Sequence, residues 1–243
     1  MDVLYISLLV FVASLVGTLT GFGTSTIMVP IVSLFYGVPE ALLFVGIIHW
    51  CTDIWTLILF RKGVNWRLIL GFGIPGAAAS FAGARLTFAV NASTLSRVLG
   101  AALIAYVILL LMKPSLKLPR NDITAVTGGA VSGFLSGLTG IGGPLRSAFL
   151  SSFDLPKAIY LATGGAIALA MDSARIPIYV AGGTRLASIL LWGLLAFIPL
   201  SLLGSIAGKR PGGEMRYFRA EALKNDWNRQ NYPEGAKCQL LAS

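Results

Sequence analysis

Five ionisable side chains stand in or beside apolar stretches of this 243-residue chain: His49, Asp53, Arg146, Asp172 and Arg175. Charges in such settings are costly in lipid and usually face a cavity or a partner. His49 and Asp53 lie four apart, on one face of a helix. They can form a proton relay, because imidazole titrates near neutral pH, or a polar packing pair close to a helix end. Asp172 and Arg175 lie three apart and can close a local ion pair. Alternatively Arg175 or Arg146 attracts an anion while Asp172 balances the charge. A Walker loop, a His/Cys metal cluster and a nucleophile constellation are all missing from the sequence. No cofactor, no metal and no ATP-driven step are therefore expected of this chain.

Two glycine runs could handle the anion directly. One is Gly17-Thr-Leu-Thr-Gly21-Phe-Gly23, leading into Thr24 and Ser25; the other runs from Gly133 and Gly137 through Thr139, Gly140, Gly142 and Gly143 to Pro144. A half-helix that starts in mid-membrane presents unpaired N–H groups and the positive end of its dipole. Glycine lets backbone approach a ligand without an intervening Cβ, and Thr24, Ser25 and Thr139 could add hydroxyl donors. Tight helix packing by small residues is the competing explanation.

The elements that must position these residues follow from composition. Hydrophobic residues make up 56% of the chain and charged residues 12%, against roughly 45–50% and about 25% in soluble domains. That balance leaves too little polar surface to cover a soluble globule. It excludes a soluble enzyme domain, a disulfide scaffold and a nucleic-acid module, and it makes the lipid bilayer the solvent. The net charge of +9 fits basic loops that orient a membrane bundle. Cys51 and Cys238 are too different in setting to pair. The apolar start carries Asp2 and no basic n-region, so it reads as a first membrane helix and not as a signal peptide.

Helices are expected at 3–20, 24–36, 40–60, 67–89, 95–113, 123–138, 143–153, 157–180 and 186–208. The segments 24–36, 123–138 and 143–153 are too short to cross about 30 Å of hydrocarbon, and 3–20 is marginal. The short ones pair at the glycine runs, and the pairing belongs to a repeat. Gly17 and Gly21 match Gly133 and Gly137, Pro39 matches Pro156, Asp53 matches Asp172, Pro75 matches Pro199, and Arg85 matches Arg210. Basic loops at 61–67 and 113–120 should be cytoplasmic. Three crossings separate the two hairpins, so the repeats are inverted. The fold expected is an all-α polytopic bundle of two inverted-topology repeats with glycine-broken hairpins. Its parts are a first repeat at 1–113, a cytoplasmic linker at 114–122, a second repeat at 123–210 and a polar, disordered cytoplasmic tail at 211–243. The second repeat lacks a counterpart to the apolar helix at 96–113, and a homo-oligomer would be one way to cover the gap.

Taken together, this pattern resembles the sulfite exporter TauE/SafE family. The resemblance rests on the duplicated Gly-x-x-x-Gly hairpins, the Gly140-Ile-Gly-Gly-Pro144 run, Trp50-x-x-Asp53 before a basic loop, and Asp172-x-x-Arg175-x-Pro177-x-Tyr179. It covers residues 3–210. It implies transport of small anions, mostly sulfur oxyanions and organosulfonates, across the cytoplasmic membrane without enzymatic activity. Two departures stand out: Gly23-Thr-Ser25 replaces a glycine triplet, and the last helix is missing. The expected function is a secondary transporter working by alternating access about a midplane site. The alternatives are a passive anion channel and a non-transporting membrane scaffold or assembly partner.

Overall fold

In the computed structural model, residues 3–60, 63–111 and 118–209 are described, and they belong to one compact unit. The expected tail at 211–243, the end of the second repeat and residues 114–117 of the linker lie outside the described residues. Every regular element among the described residues is an α-helix: α1 (Val3–Thr20), α2 (Ser25–Ser33), α3 (Val38–Leu59), α4 (Trp66–Ala89), α5 (Ala92–Leu111), α6 (Asp122–Thr139), α7 (Gly143–Ser151), α8 (Lys157–Ala181) and α9 (Ser188–Gly208). Helix α1 and helices α3, α4 and α9 are long and apolar enough to cross a membrane. Helices α2 and α7 have nine residues each, about 14 Å at 1.5 Å per residue, and cannot cross alone.

Local chemistry sets several boundaries. The side chains of Asn65, Asn91 and Asn121 accept hydrogen bonds from the N–H groups of Leu68, Thr94 and Thr124, at 3.1, 2.8 and 2.9 Å. Each satisfies a donor that the first turn of its helix leaves free. At the other end of the short pairs, α1 gives way at Gly21 (φ 76°) and α6 at Gly140 (φ 74°). Each donates its N–H four residues back, to Gly17 at 2.8 Å and Ser136 at 2.9 Å. A left-handed residue after the last helical turn is the usual glycine stop.

Gly21 and Gly140 take the same place at their helix ends and stand 119 residues apart, the separation of Asp53 from Asp172. Gly133 and Gly137 lie inside α6 and pack. A Cβ on Gly129, Gly133 or Gly137 would run into the carbonyl oxygen of Phe72, Gly76 or Ser80 on α4. Gly204 and Gly208 of α9 press in the same way on the backbone of α1, at Phe11 and Leu15. These small-residue seams are what membrane helices use for close approach.

The seams also give directions. Contacts rise in step along α4 and α6 and along α1 and α9, so both pairs are parallel. Helix α3 starts beside α9, where Glu40 Oε1 accepts from Ala187 N–H at 2.6 Å, and ends beside it, where Lys209 Nζ donates to Leu59 O at 2.6 Å. Helix α8 crosses α3 antiparallel, with Gly165 against Asp53 and Thr56 and Gly46 against Arg175 and Ile176. Thus α1, α3 and α9 run one way, and α4, α6 and α8 the other.

Gly137→Ala should open the α4–α6 seam, because backbone on both sides cannot yield; overpacking of this kind costs about 1–3 kcal/mol. Gly100 has open space around it, so Gly100→Ala should leave the thermal unfolding midpoint in detergent unchanged while Gly137→Ala lowers it by several degrees.

Candidate functional site

Helices α3 and α8 bring the buried charges together at their crossing. Arg175 Nε donates to Asp172 Oδ1 at 2.7 Å, and both residues are 1% exposed. Arg175 Nη1 donates to the carbonyl of Ser136 at 2.7 Å, and the Tyr179 hydroxyl donates to the carbonyl of Gly137. Ser136 O thus accepts a second hydrogen bond beside that of Gly140 N–H, and α8 ties down two carbonyls in the last turn of α6. Arg175 Nη2 is buried without a partner.

The imidazole of His49 reaches over from α3. Its Nδ1 lies 2.6 Å from Asp172 Oδ2 and 3.2 Å from Asp53 Oδ2. The first contact has hydrogen-bond geometry. The second is at ion-pair range only, and Asp53 Oδ2 takes no hydrogen bond. His49 Nε2 is buried and unpartnered, and it faces Gly23, whose missing Cβ makes room for it.

A cavity adjoins this cluster. It is lined by Gly17, Gly21 and Gly23 from the first hairpin, Thr52, Asp53 and Thr56 from α3, Arg146 from α7, and Leu161 and Gly165 from α8. The cavity is narrow, with enclosed room for little more than a water molecule in this conformation. It lies in the half of the bundle nearer the Leu59 end of α3. Arg146 is 4% exposed, and among the described residues it forms no hydrogen bond and no ion pair. A buried guanidinium with no hydrogen bond is expensive in lipid, and the Asp53 carboxylate that lines the same cavity is the charge set against it.

The two glycine turns meet as well. Gly143 packs on the carbonyl of Phe22, where a Cβ would collide, and Ser147 Oγ donates to Gly21 O at 3.0 Å. Of the residues singled out by sequence, Gly21, Gly23, Asp53 and Arg146 line the cavity; Thr24, Ser25, Thr139, Gly140, Gly142, Gly143, Asp172 and Arg175 do not. Thr139 spends its hydroxyl on Leu135 O at 2.8 Å, and Gly142 sits against Ser132 and Ser136. Thr24 Oγ1 is buried without a partner. Thr52, Thr56, Leu161 and Gly165 were not foreseen. The four-residue step from Thr52 to Thr56 around Asp53 is the sequence signal that could have found two of them.

His49, Asp53 and Asp172 each offer a ligand atom within 4.8 Å of the others, a gathering of potential metal donors that sequence reading did not expect. Its members are drawn together to hydrogen-bond distance. A metal at about 2.0–2.2 Å from each donor would need the 2.6 Å Nδ1–Oδ2 contact to open.

An all-helical bundle in which several helices are long and apolar enough to cross a bilayer defines a membrane protein. The chain belongs to the sulfite exporter TauE/SafE family, a family of membrane transporters, whose pattern matches residues 6–219. A protein of Methanocaldococcus jannaschii named a probable membrane transporter is 29% identical over 173 residues, covering 63% of this chain and 64% of that one. The match thus spans less than two thirds of the relative's length. No solved structure matches the chain.

Asp172→Asn should lower the unfolding midpoint strongly, because Arg175 and His49 lose their shared partner; breaking a buried pair costs about 3–5 kcal/mol. The Arg67–Asp122 pair is 75–80% exposed at 2.9 Å, so Asp122→Asn should shift the midpoint by nothing measurable.

Proposed function

We propose that this chain is a secondary transporter that moves a small anion across the cytoplasmic membrane by alternating access of two inverted halves. The observation that carries this is Arg146, buried, unpaired and lining a cavity built by both glycine hairpins and by α3 and α8. Sulfite, an organosulfonate or a related sulfur oxyanion is the substrate class, in keeping with the family's description.

Three features support the inverted repeat. The lengths of α1 and α2, 18 and 9 residues, recur in α6 and α7. Helix α1 runs opposite to α6, so their hairpins enter from opposite faces. The seams exchange as well: α4 packs on α6, and α9, the counterpart of α4, packs on α1. At the 119-residue separation the cavity has a counterpart on the other side. There Leu42 packs on Gly140 as Leu161 packs on Gly21, and Gly46 faces α8 as Gly165 faces α3. Thr56 corresponds to Arg175, whose guanidinium fills that place and bonds Ser136, the counterpart of Gly17. Arg175 is thus a built-in cation that occupies the second site, while Arg146 leaves the first one open to a ligand. This separates two arginines that sequence alone treats as equal candidates.

The ends of α3 and α9 and the starts of α4 and α6 share one face, tied by Lys209–Leu59 and Arg67–Asp122. With Arg67, Arg120 and Lys209 at that face, we take it as the cytoplasmic one.

In proteoliposomes, wild type should show saturable counterflow of radiolabelled sulfite or methanesulfonate. Arg146→Gln should raise the half-saturating concentration more than about tenfold, as expected for a lost charge-assisted contact of roughly 2 kcal/mol. Arg97→Gln, at an exposed position, should not change it. Gly165→Ala adds a Cβ at ordinary contact distance, 3.5 Å from Thr56 Cγ2. It should keep the fold and still impair transport by filling the cavity. Anion current without counterflow would instead establish a channel, and neither activity would leave a scaffold.

A further inference from the structure

We propose that His49 carries a proton with the transported anion, passing its Nδ1 contact from Asp172 to Asp53 as the two halves exchange positions. The proposal rests on the transporter reading above and names its coupling ion.

The geometry places one imidazole between two carboxylates that the repeat makes equivalent. Asp172 and Asp53 approach the same nitrogen at 2.6 and 3.2 Å. In a neutral imidazole only one ring nitrogen carries a proton, and Nδ1–H can serve only one of the two well. Asp172 also has Arg175, through its other oxygen at 2.7 Å, whereas Asp53 Oδ2 has no hydrogen bond. The aspartates are duplicated but the histidine is not: 119 residues beyond His49 stands Ala168. A single group shared by two related partners can switch between them when the halves move. The other ring nitrogen, 3% exposed as part of His49 and without a partner, faces Gly23 in the cavity wall. That nitrogen connects the pair to the ligand cavity.

Charge counting gives the reason for a proton. With His49 neutral, the two carboxylates are cancelled by Arg146 and Arg175. A singly charged anion beside Arg146 leaves one negative charge uncompensated in low dielectric, which is costly. One proton on His49 restores neutrality, and it leaves with the anion. The charged groups facing the imidazole are Asp53 on α3, and Asp172 and Arg175 on α8; Arg146 on α7 stands beyond Asp53 in the shared cavity. The first hairpin brings only glycines and the uncharged Thr24 to it. A metal ion is the less fitting occupant, because Nδ1 and Asp172 Oδ2 already stand at hydrogen-bond distance with no gap between them.

The test uses full-length protein in liposomes loaded with a pH-sensitive dye, with radiolabelled methanesulfonate and sulfite as parallel probes. Wild type should accumulate the probe when the outside is made acid, and the lumen should acidify as probe enters. His49→Gln should keep counterflow within about threefold and lose acid-driven accumulation by at least tenfold, since exchange needs no net proton movement. The comparison at matched counterflow cancels any proton that sulfite carries by itself. If His49→Gln does not fold, the protons that the dye reports per methanesulfonate taken up by wild type decide instead: about one supports the coupling, and none overturns it. Wild-type counterflow that is indifferent to the proton gradient would overturn the coupling while leaving the transporter standing. So would a His49→Gln protein that still accumulates. Absence of wild-type counterflow for both probes would overturn the transporter reading and the coupling together.

Discussion

Neutralising charge inside a bilayer is the constraint on which this molecule turns. Asp172, Arg175 and His49 are 1–3% exposed, and none of them could remain there alone, since an unpaired ion in hydrocarbon costs several kcal/mol. Their mutual contacts fix the crossing of α3 and α8. Through Ser136 and Gly137 they also hold the end of α6, where the second hairpin turns. Arg146 is the exception. It is 4% exposed and forms no hydrogen bond or ion pair among the described residues, and it borders the cavity that Asp53 also lines.

Glycine does two different jobs in this bundle. At Gly21 and Gly140 it supplies the left-handed conformation that stops a helix in mid-membrane. Along α6 and α9 it lets backbones touch, and there the side chain is absent for lack of space. Only the first group lies at the breaks. The same residue type in the same run, Gly133 to Gly143, therefore contributes to a rigid seam and to a turn within a few residues.

Helix positions were legible because apolar length and polar loops decide them in lipid: all nine expected segments begin within three residues of the observed helices, and those at 3, 143 and 157 begin at the same residue. The Asp172–Arg175 pair was legible as a local contact at i, i+3. The His49–Asp172 contact was not, because it joins residues 123 apart and depends on how α3 crosses α8. Arg146 and Arg175 could not be ranked from sequence, since it is the packing of α7 and α8 that leaves one beside the cavity and bonds the other to Asp172 and Ser136. Which glycines turn the chain was not legible either: the sequence pairs Gly21 with Gly137, while the left-handed glycine that follows α6 is Gly140.

Anion recognition by Arg146 is the claim on which the functional account depends. Its most direct test is a crystal structure of the protein soaked with selenite, an analogue of sulfite whose selenium scatters anomalously. The account predicts an anomalous peak in the cavity, within hydrogen-bond distance of the Arg146 guanidinium and bordered by Gly21, Gly23 and Thr56. A peak beside Arg175 at Gly140, or an empty cavity with selenium bound only at the protein surface, would contradict it.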